Sequence, residues 1–411
     1  MRVLLIILLI ICLVESGLLL YKNRCLVSYV YAFSESCKCV GTVQSIKKAL
    51  TVVIGFILAN IKISFHKSPL KDEDRKAVAF YPTGGLGDYI VSAKVLEEIQ
   101  GYVPEVYIDV FVDKLQFGKA IYGNRDNVFL NEGIQYELVM RRYALALRVE
   151  HFVHVDCFKK DVVKSWSPEL QKRISYIVDN WRDLYVDIPQ QCWRERIQFE
   201  RCKVLGIDRW TELRMGYAFD VDSKYIQLPM LDEYKEKWNK RGYSPKSYIT
   251  INYGTDIMRP NQVQLKMWNK DRFEQLVQLV RQNIPNIKVI QLGSQDAKKI
   301  RGCDDYILGE SIELTKWILK DSLCHIDCEG GLVHLAHQVG TKSIVIFGPT
   351  PIHMYAYKEN YNLVFDGCNN CMGLHEDWAY KCFSGKDGQC VNTISPETVF
   401  ELISRISLGD M

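Results

Sequence analysis

The apolar positions of this chain change their spacing along its length, and each spacing predicts a different kind of element. Val3 to Val14 is an unbroken apolar run behind Arg2, extended past Glu15 by Leu18 to Leu20. No small-x-small cleavage pattern follows, so it reads as an uncleaved membrane anchor. Ala49 to Ala59, behind Lys47 and Lys48, is a second apolar run. It is short for a span and suits an interfacial helix. His66 to Lys76 is polar and contains Pro69, the pattern of a linker.

From Ala77 onward, short β-branched runs, Gly-rich turns and stretches of helical spacing succeed one another. Ala77 to Tyr81 predicts a strand, Pro82-Thr83-Gly84-Gly85-Leu86-Gly87-Asp88 a loop, and Tyr89 to Gln100 a helix burying Val91, Val95, Leu96 and Ile99. Val106 to Val112 predicts the next strand and Phe152 to Asp156 another. Leu231 to Arg241 reads as a charged amphipathic helix leading out of this first domain. Tyr248 to Tyr253, Ile287 to Leu292 and Leu323 to Asp327 then read as strands. Asp271 to Gln282 and Ser311 to Asp321 read as helices, with Ser311 as an N-cap. The Gly turn Glu329-Gly330-Gly331 opens a helix over Leu332 to Val339, which Gly340 stops. Ser343 to Phe347 has the composition of a buried parallel strand, and Ser395-Pro396 starts a C-terminal helix. Alternating strands and helices predict an α/β protein of two Rossmann-like domains, at 76–240 and 245–411, behind a hydrophobic extension at 1–65.

Composition narrows the partners. A net charge of +3 over 411 residues makes no case for nucleic acid. The fourteen cysteines are mostly scattered and lack the look of a disulfide scaffold, which favours a reducing compartment. Cys368, Cys371, Cys382 and Cys390 form a group whose first pair has metal-ligand spacing. Four thiolates would suit a structural zinc or iron; free thiols or disulfides are the alternatives.

Candidate chemistry sits where predicted strands end. The loop at Gly84 does not give Gly-x-Gly-x-x-Gly, and Asp88 would face a phosphate unfavourably, so a dinucleotide loop and an oxidoreductase are disfavoured. An acid there suits proton abstraction, or a helix N-cap, or both. Gly330 and Gly331 at a helix N-terminus let backbone amides approach a diphosphate, with His334 in the same turn. Lys266 before Trp268 is either a phosphate partner or a solvated surface lysine. Thr255 lies in the loop after Tyr253, and Asp296 follows a strand end where it could accept ribose hydroxyls. His151, His154 and Asp156 have the look of a metal group, but no further ligand is identifiable and a structural role is the simpler reading. Trp166, Trp181, Trp193 and Trp210 either line an acceptor groove or pack.

The ordered set Gly87-Asp88, Lys266-x-Trp268, Glu329-Gly330-Gly331-x-x-His334-Leu335-Ala336 and Phe347-Gly348-Pro349-Thr350 resembles glycosyltransferase family 9, which contains the lipopolysaccharide heptosyltransferases. The resemblance runs over about residues 77–408. It departs at Glu329, where the family has Asp, at Gly330, where it has Ser or Thr, and at Asn269, where it has Pro. It implies a GT-B fold, two Rossmann-like domains facing a cleft. It also implies Asp88 as catalytic base on an acceptor loop with Gly85 and Gly87. Lys266, Glu329, Gly330, Gly331, His334, Thr255 and Asp296 would lie on the donor side. The expected reaction is inverting transfer of a sugar, heptose first, from ADP-heptose or another nucleotide sugar to a glycan or lipid-linked acceptor, with no catalytic metal. The Cys368 to Cys390 group resembles the four-cysteine metal finger that some related autotransporter heptosyltransferases use. With the anchor, the enzyme would be membrane-associated with its catalytic domains in the cytoplasm. The alternative is a membrane-anchored binding protein with a degenerate, inactive transferase fold.

Overall fold

A computed structural model of the chain describes residues 76–132, 136–180, 193–214, 219, 221, 223–254, 264–365, 367, 370–386 and 389–409. The extension at 1–65 lies outside the described residues, so the anchor and the interfacial helix read from it have no structural counterpart here. Among the described residues, no helix is long and apolar enough to cross a membrane. The larger compact unit comprises 74–132 and 143–411, and the smaller one contains the segment 133–142.

The first part of the chain runs β1 (Ala77–Pro82), α1 (Leu86–Tyr102), β2 (Tyr107–Val112), α2 (Leu115–Tyr122), β3 (Val128–Glu132), α3 (Tyr136–Val139), β4 (Leu145–Val149), β5 (Val153–Phe158), α4 (Lys160–Trp166), α5 (Pro168–Asp179), α6 (Trp193–Leu205) and α7 (Asp232–Asn239). The second part runs β6 (Tyr248–Asn252), α8 (Lys270–Asn283), β7 (Lys288–Gly293), β8 (Asp305–Leu308), α9 (Ile312–Asp321), β9 (His325–Cys328), α10 (Gly331–Gln338), β10 (Ser343–Phe347), α11 (Ile352–Tyr355), β11 (Tyr361–Val364), α12 (Gln389–Asn392) and α13 (Pro396–Leu408).

Two sheets result, as the alternating pattern predicts. The first has the order β3-β2-β1-β4-β5, parallel except for β5, which returns antiparallel along β4 with a bulge at Ala146/Leu147. The second has the order β11-β10-β9-β6-β7-β8 and is parallel throughout. Its central strands β9 and β10 are buried on both faces, which is why Ser343 to Phe347 reads as an apolar run rather than an alternation. In each sheet the strand order reverses beside the first strand, between β1 and β4 and between β6 and β9. Open α/β sheets bind ligands at such switch points, outside the carboxyl ends of the strands.

One apolar cluster joins the two parts. Leu86, Tyr89 and Ile90 of α1 belong to the same buried group as Val333, Leu335 and Ala336 of α10. A polar tie reinforces it. The buried ammonium of Lys316 on α9 donates to the carbonyls of Ala120 and Pro229 at 2.7 Å and pairs with Glu313. Three acceptors match the three donors of an ammonium, which is what allows a lysine to be buried here. Trp317 Nε1 donates to Leu231 O at 3.0 Å and fixes the chain where it passes between the sheets.

Local signals explain most helix ends. Ser167, Ser311 and Ser395 each accept a backbone N–H three residues on, and Pro168 and Pro396 occupy the first turns they open. Ile326, fully buried at the centre of the second sheet, tests its packing. Ile326→Ala should cost about 2–5 kcal/mol through lost burial and an unfilled cavity; urea denaturation would read this as a lower midpoint.

Candidate active site

The loop between β1 and α1 is shaped around Asp88. The helix begins at Leu86, three residues earlier than the apolar spacing predicts, because Asp88 Oδ2 accepts the Gly85 N–H at 2.9 Å. The expectation that Asp88 is itself an N-cap is therefore corrected. Gly85 is the cap, and Asp88 closes the first turn from the third helical position. Gly84 has φ +95°, and a Cβ there would lie 2.3 Å from Asp88 Oδ2. Only glycine meets both conditions.

The other carboxylate oxygen faces a buried charge network at the β1/β4 switch point. Arg209 Nη2 donates to Asp88 Oδ1 and to Glu150 O, both at 2.9 Å. Arg209 Nη1 donates to Glu212 Oε1 at 2.8 Å, and His151 Nδ1 lies 3.0 Å from the same oxygen. Arg209 and Glu212 are fully buried, whereas the Asp88 side chain keeps 31% of its surface exposed to the cleft. Burial alone would raise the Asp88 carboxyl. Arg209, His151 and the Gly85 amide outweigh it and hold the group below the ordinary carboxylate range. Asp88 is thus ionised and directed, as a proton acceptor must be. His151 departs from the metal-ligand reading, since its ring is engaged by Glu212, and Asp156 is paired with Arg148. Trp210 packs in the core, and its Nε1 donates to Tyr357 Oη at 3.0 Å.

The second switch point carries the Gly-Gly turn. Gly330 caps α10 in extended backbone, and Gly331 begins it. A Cβ on Gly331 would lie 2.8 Å from Leu86 Cβ, and one on Gly87 would lie 2.5 Å from His334 Cδ2. The N-terminal turns of α1 and α10 therefore meet at van der Waals distance, with Asp88 and His334 on the two sides. His334 is buried, its pKa is lowered by that burial, and its Nδ1 lies 2.6 Å from Tyr357 Oη. Because Trp210 donates to that hydroxyl, the hydroxyl proton is free to point at Nδ1. This leaves Nε2–H on the side of Gly87 as a neutral donor.

Lys266 Nζ pairs with Glu329 Oε2 at 2.7 Å. Burial opposes the charge on Lys266, but Glu329 outweighs it and raises the pKa. Lys266 is thus a half-buried, carboxylate-held cation and not a solvated surface group. Trp268 beside it is core, with its N–H on Cys328 Sγ and its Nε1 on Ile394 O. Behind the turn, Asn252 Nδ2 donates to both oxygens of buried Asp327, at 3.1 and 3.0 Å. Asp296 is exposed in the turn after β7. Thr255 lies outside the described residues.

Of the cysteine group, Cys371, Cys382 and Cys390 line one cavity of about 120 Å³ with Gly348, Pro349 and Phe383. Cys371 N is tied to Pro349 O at 3.0 Å. Cys368 lies outside the described residues. Among the described residues, no three His, Cys, Asp or Glu side chains are grouped closely enough to hold a metal.

Arg209, Glu212 and Tyr357 carry no motif and escape a reading of the sequence. Arg209 stands 121 residues from the carboxylate it holds. The only sequence signal is Arg209 and Glu212 three apart beside Trp210.

The two switch-point sites and the mostly parallel sheets define a two-part, Rossmann-like α/β architecture. Comparison with known proteins narrows this. No known family profile matches the chain. It is 27% identical over 207 residues to lipopolysaccharide heptosyltransferase 1 of Campylobacter coli, covering 47% of this chain and 54% of that protein. The chain thus matches about half the length of this curated relative. Its fold is similar to that of a glycosyltransferase family 9 structure from Veillonella parvula, with TM-score 0.51, 11% identity, and 82% of this chain and 99% of that one covered. It is also similar to the iron-containing dodecameric glycosyltransferase TibC of enterotoxigenic E. coli, with TM-score 0.53, 12% identity, and 82% and 78% covered. The resemblance to glycosyltransferase family 9 and its heptosyltransferases is thereby found in sequence and in fold.

His337, one turn beyond His334, is stacked between Tyr357 at 3.8 Å and Tyr225 at 4.5 Å. Burial, with His334 and Lys224 adding to it, pushes its pKa down to about 4. Between that value and the ordinary value of 6.5, the unfolded chain binds a proton that the folded chain refuses, so stability falls as pH falls through this window. The stability advantage of wild type over His337→Gln should shrink as pH is lowered from 6.5 towards 4, as read by urea denaturation at several pH values.

Proposed function

We propose that this protein is an inverting glycosyltransferase that moves a sugar, heptose first among candidates, from an ADP-linked donor to a hydroxyl of a glycan or lipid-linked acceptor. The observation that carries the reading is the meeting of the α1 and α10 N-termini, which brings an ionised Asp88 and the donor-side His334 into one cleft. The heptosyltransferase relative supports the sugar and the lipopolysaccharide-type acceptor.

In this reaction Asp88 takes the proton of the acceptor hydroxyl as its oxygen attacks the anomeric carbon. The bond from that carbon to the diphosphate oxygen breaks, and the diphosphate leaves with the electron pair. Its growing charge is met by the Gly330 and Gly331 amides at the α10 N-terminus, by His334 Nε2–H and by Lys266. Lys266 must turn from Glu329 to the diphosphate, and Glu329, one atom longer than an aspartate, then accepts from a sugar hydroxyl. Thr255 and Asp296 are assigned to the nucleoside end. These groups supply enough positive charge for transfer without a catalytic metal. Membrane association through residues 1–65, with the catalytic domains in the cytoplasm, accords with a lipid-linked acceptor.

Nucleotide-dependent thermal stabilisation tests the donor. ADP should raise the melting temperature more than UDP, GDP, CMP or NAD, in line with binding to the native state alone. Asp88→Asn should keep that stabilisation and lose about 10²–10⁴-fold in turnover of ADP-heptose, the range for removing a general base. Full activity in Asp88→Asn would refute the assigned base, and silence to all five nucleotides would favour the inactive binding protein.

Cys371, Cys382 and Cys390, with Cys368, are proposed to hold a structural zinc or iron; the three described thiols line one cavity and would draw closer around the metal. Elemental analysis of the purified chain should find about one metal per chain, with Cys371→Ser losing it and melting lower. A metal-free wild type of unchanged stability would dismiss the site.

A further inference from the structure

We infer that Arg209, Glu212 and His151 form a positioning relay for Asp88, in which the proton on His151 decides how strongly Arg209 holds the carboxylate. The inference rests on Asp88 being the base of the proposed transfer.

The geometry is a continuous line, buried at Arg209 and Glu212 and partly exposed at its two ends, Asp88 and His151. Asp88 Oδ1, Arg209 Nη2, Arg209 Nη1, Glu212 Oε1 and His151 Nδ1 are joined by contacts of 2.9, 2.8 and 3.0 Å. Two carboxylates share one guanidinium, so the cluster carries a net negative charge when His151 is neutral and none when His151 is protonated. The groups facing His151 are the charges of Glu212, Arg209 and Asp88 and the rings of Phe199 and Tyr355, at 6.1 and 6.5 Å. Those facing Asp88 are Arg209, His151 and the Gly85 amide, with His334 across the cleft.

Arg209 Nε and Glu212 Oε2 are buried without a hydrogen-bond partner among the described residues. Each orphaned group is costly to bury. Costly buried charge in a cleft marks a functional arrangement.

The consequence for chemistry has a definite sign. When His151 is neutral, Glu212 draws on the Arg209 charge, and Asp88 remains the stronger base. When His151 is protonated, Glu212 is satisfied by the imidazolium, and the guanidinium bears undiluted on Asp88, weakening it. Glu212 outweighs burial and raises the His151 pKa. The relay therefore gates the base above the ordinary histidine range, and turnover rises as His151 loses its proton.

Two measurements on the full chain test this. The first needs no activity. Histidine ¹³Cε1 resonances are followed against pH, with His151 assigned by its loss in His151→Gln. His151 should titrate above the ordinary value and fall by about one unit or more in Glu212→Gln, as removal of a contacting opposite charge requires. An unchanged titration overturns the relay. If Glu212→Gln does not fold, Asp88→Asn removes a second nearby negative charge and must also lower the titration. The second is hydrolysis of ADP-heptose, with water in place of the acceptor. The acidic limb of kcat should follow His151, move down by about one pH unit in Glu212→Gln and disappear in His151→Gln, with little change in KM; superimposed profiles overturn the relay. Absence of hydrolysis at every pH would instead count against the donor assignment, and the resonance titration would still decide the relay.

Discussion

The arrangement depends on the close approach of two helix N-termini. Gly87 of α1 lies against the ring of His334, and Gly331 of α10 lies against Leu86; a single added Cβ at either glycine would fall within 2.8 Å of the facing side chain. Van der Waals repulsion rises steeply at that range, so these positions accept no side chain without moving a helix. Because both turns also end at sheet switch points, the contact that joins the two sheets is the one that assembles the candidate site. The apolar faces of α1 and α10 and the buried Lys316 hold it closed.

Charge in this cleft is arranged in pairs. Asp88 is held by Arg209, and Lys266 by Glu329. Each pair keeps a reactive group ionised in a place where burial alone would neutralise it. The pairs differ in depth. Arg209 is buried and fixed by Glu150 and Glu212, whereas Lys266 has one carboxylate partner, which under the proposed function it would exchange for a diphosphate. Under that proposal, the asymmetry fits a permanent orientation for the base and a replaceable one for the donor cation.

The sequence made much of this legible. Ser343 to Phe347 read as a buried strand because parallel strands covered on both faces need apolar residues at every position. Ser311 and Ser395 read as caps because a hydroxyl can satisfy an orphan amide locally. Residues 114 to 220 read poorly. Phe152 to Asp156 reads there as a strand and lies largely in β5, but β3 is not legible, since only Asn131 of its five residues is buried and it carries no alternating apolar pattern. His151 looked like part of a metal group with His154 and Asp156, yet its partner is Glu212, 61 residues away.

By itself the sequence determined the α/β class and the two Gly-rich turns, because turn chemistry, capping and helical periodicity act within a few residues; Asp88, Lys266 and His334 stood in it as candidates, their roles implied by the family resemblance. Tertiary structure alone decided that Gly87 must make room for His334, that Asp88 closes its helix from the third position, and that Arg209, Glu212 and His151 converge on it. Those facts depend on where elements far apart in the chain come to rest. Hydrogen bonds between side chains 61 and 121 residues apart leave no periodic trace in the order of the amino acids.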